Sequence, residues 1–297
     1  MLDGALQLQS FMFTKGFAHG IIAPAASGQP FFVAVPVEWN ARAIGAHPVI
    51  LNGFCASVQL ALGVSLLVRR TARVAIVGSV LWAGGIWFLG EGLGGLAGGH
   101  TTALLGAPGA ALLYVVLALA AWPSSPEVRD TSRQRPPRWV LGGWAVLWVG
   151  FAGLSVLPSN AQSGAMAGQL KTNASMVPSW LASLDRGLAS GVHALGSWAV
   201  IVTVTIELAV GLLVLRPGPL RAIALWTGIT VAGLYWGAGQ SFGQLFSGQA
   251  TDPDTGPLVI LLGLVALGAS RSPGQSDSLP MALVERAGEC RPEPRAA

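Results

Sequence analysis

An acid inside a long apolar run is the first place to look for chemistry. Glu207 stands alone in the otherwise uncharged stretch 191–215. Ionised at hydrocarbon depth, a carboxylate costs several kcal/mol, from about 3 upward. It must face protein or water, find a donor, or keep its proton. If the run is one helix, His193, Ser197, Val200, Val204, Glu207 and Gly211 fall within about 40° of one line. That spacing predicts a small, polar stripe facing inward. Earlier in the chain, Asn52, Ala56, Gln59 and Gly63 make a similar stripe. Such groups can accept a proton or hold the carbonyl head of a lipid. The plainer alternative is a hydrogen bond between helices.

A second pair of polar groups recurs with its surroundings. Trp87-x-x-x-Glu91 and Trp236-x-x-x-Gln240 place an indole and an acid or amide on one helix face. Each is followed by a glycine-rich loop. Neither loop has the G-x-x-x-x-G-K-[ST] pattern of a phosphate cradle. Asp252 and Asp254 fall short of the six to eight oxygens that calcium takes. The plainer reading is a tight turn that caps the next helix. The histidines, His19, His47, His100 and His193, show no HxxxH or HExxH spacing. No metal site and no catalytic triad is predicted, and catalytic residues stay unassigned.

These residues need a membrane to sit in. The chain has 297 residues, 52% hydrophobic and 10% charged, where soluble domains carry about 25% charged residues. Its mean hydropathy is +0.60. A soluble, disordered or nucleic-acid-binding protein is a poor fit. Runs near the length of a span lie at 46–68, 74–91, 103–122, 139–157, 191–215, 222–240 and 256–270. An eighth, 10–27, carries Lys15 and His19. Arg69, Arg70 and Arg73, then Arg129, Arg133, Arg135 and Arg138, then Arg216 and Arg221, and finally Arg271, Arg286, Arg291 and Arg295 all fall on one side of an eight-span chain. The positive-inside rule puts that side, and both termini, in the cytoplasm. Fifteen arginines against two lysines suit a GC-rich bacterial genome. The segments 28–46 and 158–190 read as interfacial. Cys55 and Cys290 offer no disulfide or metal pattern.

The two halves match at an offset of 148–149 residues. Gln59 meets Glu207, Gly63 meets Gly211, Trp87 meets Trp236, Glu91 meets Gln240, Gly94 meets Gly243, and Pro108 meets Pro257. The expected fold is all-α: eight transmembrane helices as two parallel four-helix repeats. Residues 1–122 form the first repeat and 139–270 the second. A basic linker, 123–138, joins them, and 271–297 form a disordered cytoplasmic tail.

Each half resembles the DoxX-like family of small four-helix membrane proteins. The likeness lies in Glu207-x-x-x-Gly211 with Arg216 and Arg221 after it, and in Gln59-x-x-x-Gly63 with Arg69, Arg70 and Arg73. Gln59 stands where the family has an acid. The resemblance implies a redox-linked accessory subunit that contacts a quinone-like lipid or a membrane redox partner. Glu207 and Gln59 would line the site; Asn52, His193, Trp87 and Trp236 are further candidate binding residues, and Glu91 and Gln240 would stand at the outer mouth if the chain is a permease. A quinone is the one cofactor implied. The alternatives are a small-solute or proton-coupled permease, though the sequence shows no interrupted pair of spans, and a non-catalytic scaffold. The bilayer and other membrane proteins are the expected partners, with no nucleic acid.

Overall fold

The computed structural model describes residues 1–123, 136–162, 164–174 and 177–270. Most of the predicted linker and all of the predicted tail lie outside the described residues. The described chain is helical, with no strand among those residues.

The first half opens with a short helix, α1 (Leu2–Leu6), and a string of tight turns. Residues 10–27 are not a span. They divide into a 3-10 turn at Ser10–Phe13, a one-turn α2 (Lys15–Phe17), a π turn at Ala18–Ile22 and a 3-10 turn at Ala23–Ala26. Gly16, Gly20 and Pro24 deny this stretch a continuous helix. Helix α3 (Phe31–Ala46) follows, then α4 (Pro48–Leu67), α5 (Ala72–Leu89) and α6 (Ala110–Ala120). Pro48 opens α4 at the position where a missing N–H costs nothing.

The second half has α7 (Trp139–Ser155), α8 (Ala165–Asn173), α9 (Ser179–Leu195), α10 (Ser197–Leu213), α11 (Pro219–Gly237) and α12 (Thr255–Ser270). The run 191–215 is not one helix. α9 and α10 meet at an angle of 100°. The hinge is Gly196, at φ 55° and ψ −130°, a conformation open to glycine alone.

Among the described residues two helices, α4 and α5, are long and apolar enough to cross a membrane, or three spans if α9 and α10 count as one. Helices α6, α7 and α12 are apolar but shorter. The expected count of eight full-length spans is therefore not met. Hydropathy runs on through turns and hinges that backbone geometry interrupts.

The main core lies mostly in the second half and takes in Ala103, Ala110 and Leu113 from the first. Trp144, Trp148 and Phe151 of α7 stack against Val210, Leu225 and Leu262 from three other helices. A separate cluster under α3 gathers Met12, Phe17, Ile22, Val33 and Val37. Segments beside this cluster clasp the ends of the long helices. Gln29 Nε2 donates to Gly92 O at 3.1 Å, and Asn40 Nδ2 donates to Leu89 O at 3.0 Å. In the second half, Asn173 Nδ2 donates to Gly239 O and Ser241 Oγ to Asp185 at 3.1 Å.

Candidate functional site

The loops that follow α5 and α11 are built alike. Leu93 and Gly94 follow α5 in the left-handed region, at φ 59° and 60°. Phe242 and Gly243 follow α11 at φ 56° and 64°. The turn lets each loop fold back, so that a β-carbon at Gly243 would lie 2.6 Å from Pro253 O. Trp87 Nε1 donates to Pro108 O and Trp236 Nε1 to Pro253 O, both at 2.8 Å. Glu91 Oε1 accepts from Ala111 N at 3.0 Å, and Gln240 Oε1 from Gly256 N at 2.9 Å. Each side chain thus satisfies an amide in the first turn of the next helix. The capping role of the two side chains and the indole bonds to proline carbonyls are not implied by the spacing, which places each pair on one helix face. The expected match of Pro108 with Pro257 is wrong by four residues. The bond spans 21 residues in the first loop and 17 in the second, so Pro253 plays the part of Pro108.

Gln240 uses both ends of its amide, since Nε2 donates to Ala103 O at 3.0 Å. Glu91 does not match it. Its Oε2 is buried without a partner.

Glu207 is 1% exposed and fully partnered. Ser155 Oγ donates to Oε2 and Tyr235 OH to Oε1, each at 3.0 Å. The carboxyl ties α10 to α7 and α11. His193 is exposed on α9 and does not join it, because the Gly196 bend takes the two residues off one helix axis. Asn52 is fully buried, and its Nδ2 donates to Gln7 O at 2.8 Å.

A cavity of about 1150 Å³ is lined mainly by the first half, with Trp139, Thr251, Asp252, Leu261 and Val265 added from the second. Gln59 and Glu91 line it. Asn52, Glu207, Gln240, Trp87 and Trp236 do not. The two predicted members of one site, Gln59 and Glu207, are thus separated: the first faces a hollow and the second is sealed in the packing. Four polar atoms of the lining residues are buried without partners: Gln7 Oε1, Gln59 Oε1, Trp82 Nε1 and Glu91 Oε2. Such groups normally pair, because burial without a partner costs about 1–3 kcal/mol each.

Sequence reasoning missed Tyr114 and Asp3, which also line the cavity and share a 2.8 Å hydrogen bond. It also missed Tyr235 and Ser155. The signal available was that the chain has just two tyrosines, and a buried tyrosine seeks an acceptor. Both bond a carboxylate. Among the described residues no group of three or more His, Cys, Asp or Glu is placed to hold a metal ion. No family model, curated protein or solved structure matches the chain.

Proposed function

We propose that the chain is a multi-pass protein of a bacterial cell membrane that binds a quinone-like lipid in the cavity of its first half. There it serves a membrane redox partner. The observation that carries this reading is the group of four unpartnered polar atoms in the wall of one apolar cavity. A quinone is an apolar body with two carbonyl acceptors. The Trp82 indole N–H is an unpartnered donor for one of them, the Gln59 and Gln7 amide oxygens are unpartnered acceptors for the hydroxyls of the reduced form, and Glu91 supplies a carboxyl for proton exchange. Reduction of the quinone takes two electrons and two protons. The sequence has no haem or iron–sulfur motif, so the electrons come from the partner.

The membrane arrangement proposed is two DoxX-like copies in parallel. Four elements recur in order: α1, α4, α5 and α6, then α7, α10, α11 and α12. The paired tryptophan and cap hydrogen bonds support the duplication. The shorter helices α6, α7 and α12 then cross with the long ones, and α1 stands in the first copy where α7 stands in the second. The arginine turns at 69–73 and 216–221 face the cytoplasm. Helix α1 runs from Met1 beside Gly63 to Gln7 beside Asn52. Its amino end therefore points the same way as those turns.

The test is mass spectrometry of lipids retained through purification in mild detergent. Gln59→Leu and Trp82→Phe should each lower the quinone-to-protein ratio several-fold, while Glu207→Gln leaves it unchanged. Protein that carries no quinone, or variants that retain it fully, would remove the reading. The 100° break at Gly196 favours a second reading, a proton-coupled permease, because interrupted helices mark many transport sites. That reading requires pH-driven solute flux in liposomes.

A further inference from the structure

The cavity has a filled counterpart. In the second half, Trp144 and Trp148 stand with ring centroids 5.6 Å apart and planes at 47°. Both are fully buried. Glycines let them in. A β-carbon at Gly228 would collide with Trp144 and crowd Trp148 at 3.1 Å, one at Gly263 would lie 2.9 Å from Trp144, and one at Gly211 would lie 2.9 Å from Val149 of α7.

Each glycine has a partner position in the first half. The offset of 148 that pairs Glu207 with Gln59 carries Gly211 to Gly63. The offset of 149 that pairs Trp236 with Trp87 carries Gly228 to Ser79. The offset of 145 that pairs Gly256 with Ala111 carries Gly263 to Ala118. Gly63, Ser79 and Ala118 all line the cavity. Buried positions agree with the register, since Ala75, Ile76 and Ala83 of α5 match Ala224, Leu225 and Ala232 of α11. At the end of this track nearest the arginine turns, Met1 takes the place of Val149. A β-carbon at Gly63 would lie 2.9 Å from Met1 N. The cavity opens beyond it, on the level where the second half seats its two indoles.

Given that the cavity holds a lipid, we propose that this lipid carries a planar aromatic ring system, seated between Ser79 and Ala118 as the indoles are seated between Gly228 and Gly263. Serine and alanine are the smallest side chains after glycine, so they keep a slot a flat ring can enter. Branched acyl chains gain nothing from such a slot. A membrane-crossing helix of a partner does not fit this track, because α1 already lies along its end nearest the arginine turns. The ring shares its cavity with Trp82, whose indole N–H is an unpartnered donor, and the remaining volume takes an apolar tail.

The experiment uses the full chain in detergent micelles and equilibrium dialysis with 2-methylnaphthalene, a ring without carbonyl groups. One equivalent should bind. Ala118→Trp, or Ser79→Phe if the first variant does not fold, should weaken binding on the order of tenfold or more. Trp144→Ala combined with Trp148→Ala should raise the stoichiometry toward two. No binding of the probe, or binding that both first-half variants leave unchanged, would overturn the ring assignment. If quinone is retained but naphthalene does not bind, the ring slot fails and the lipid site stands. If naphthalene binds as described but no quinone is retained, the slot stands and the redox reading fails.

Discussion

Replacing Gln240 with leucine removes a polar clamp while nearly conserving volume. Its Oε1 accepts from Gly256 N at 2.9 Å and its Nε2 donates to Ala103 O at 3.0 Å. The residue is 6% exposed, so water does not readily take over either contact. A buried hydrogen bond contributes about 1 kcal/mol, and a partner left unsatisfied costs about 1–3 kcal/mol. With two partners stranded, Gln240→Leu should cost about 2–5 kcal/mol. Glu91→Leu strands only Ala111 N and deletes an oxygen that has no partner, so its cost should be about 1 kcal/mol. For a chain of this size each kcal/mol lowers Tm by about 2 °C. Thermal unfolding in one detergent should therefore place Gln240→Leu about 4–10 °C below the parent and Glu91→Leu within about 2 °C of it. Gln240→Glu keeps one acceptor and should fall between them. A Gln240→Leu melt within about 1 °C of the parent, or a larger drop for Glu91→Leu, would refute the clamp.

Two other outcomes follow from the same geometry. Glu207→Leu strands the hydroxyls of Ser155 and Tyr235 and should cost about 2–4 kcal/mol, whereas Glu207→Gln, which can still meet both, should cost less than about 1 kcal/mol; urea titration in micelles reads the difference. Burial, helped by the neighbouring charge of Asp252, pushes the Asp254 carboxyl up from 3.8 to about 7. The folded chain then holds a proton that the unfolded chain releases between those values, so stability should fall as pH rises through that window. Asp254→Asn keeps the acceptor for Thr255 N and should flatten the slope of Tm against pH; an unchanged slope would show that Asp254 is not its source.

Much of this was readable from residue order. The runs predicted at 46–68 and 74–91 became α4 at 48–67 and α5 at 72–89, because long apolar stretches bounded by proline, arginine and glycine have few other options. The Trp-x-x-x-Glu/Gln spacing implied two side chains on one helix face, but that the acid or amide itself caps the next helix appears only in the folded chain. Other features were hidden for physical reasons. The Gly196 bend is invisible to hydropathy, since α9 ends and α10 begins in the same apolar run. The choice of Pro257 over Pro253 kept one offset through a loop whose two versions differ in length. Glu207 looked like the reactive residue because cost alone was visible. Its partners Ser155 and Tyr235 come from distant segments, so only folded coordinates reveal that the cost is met. The cavity had no sequence signature, because Gly63, Ser79 and Ala118 are also what close helix packing uses.

The indole stack of α7 also bears on how such a chain can change over time. Where one half seals its interior with its own tryptophans, it needs no guest to stay folded. That frees the other half to trade packing for accommodation, since a loosened unit is braced by a rigid sibling on the same polypeptide. Substitutions around Ser79 and Ala118 should then alter which molecule is carried, while those around Gly228 and Gly263 should alter whether the protein survives extraction at all.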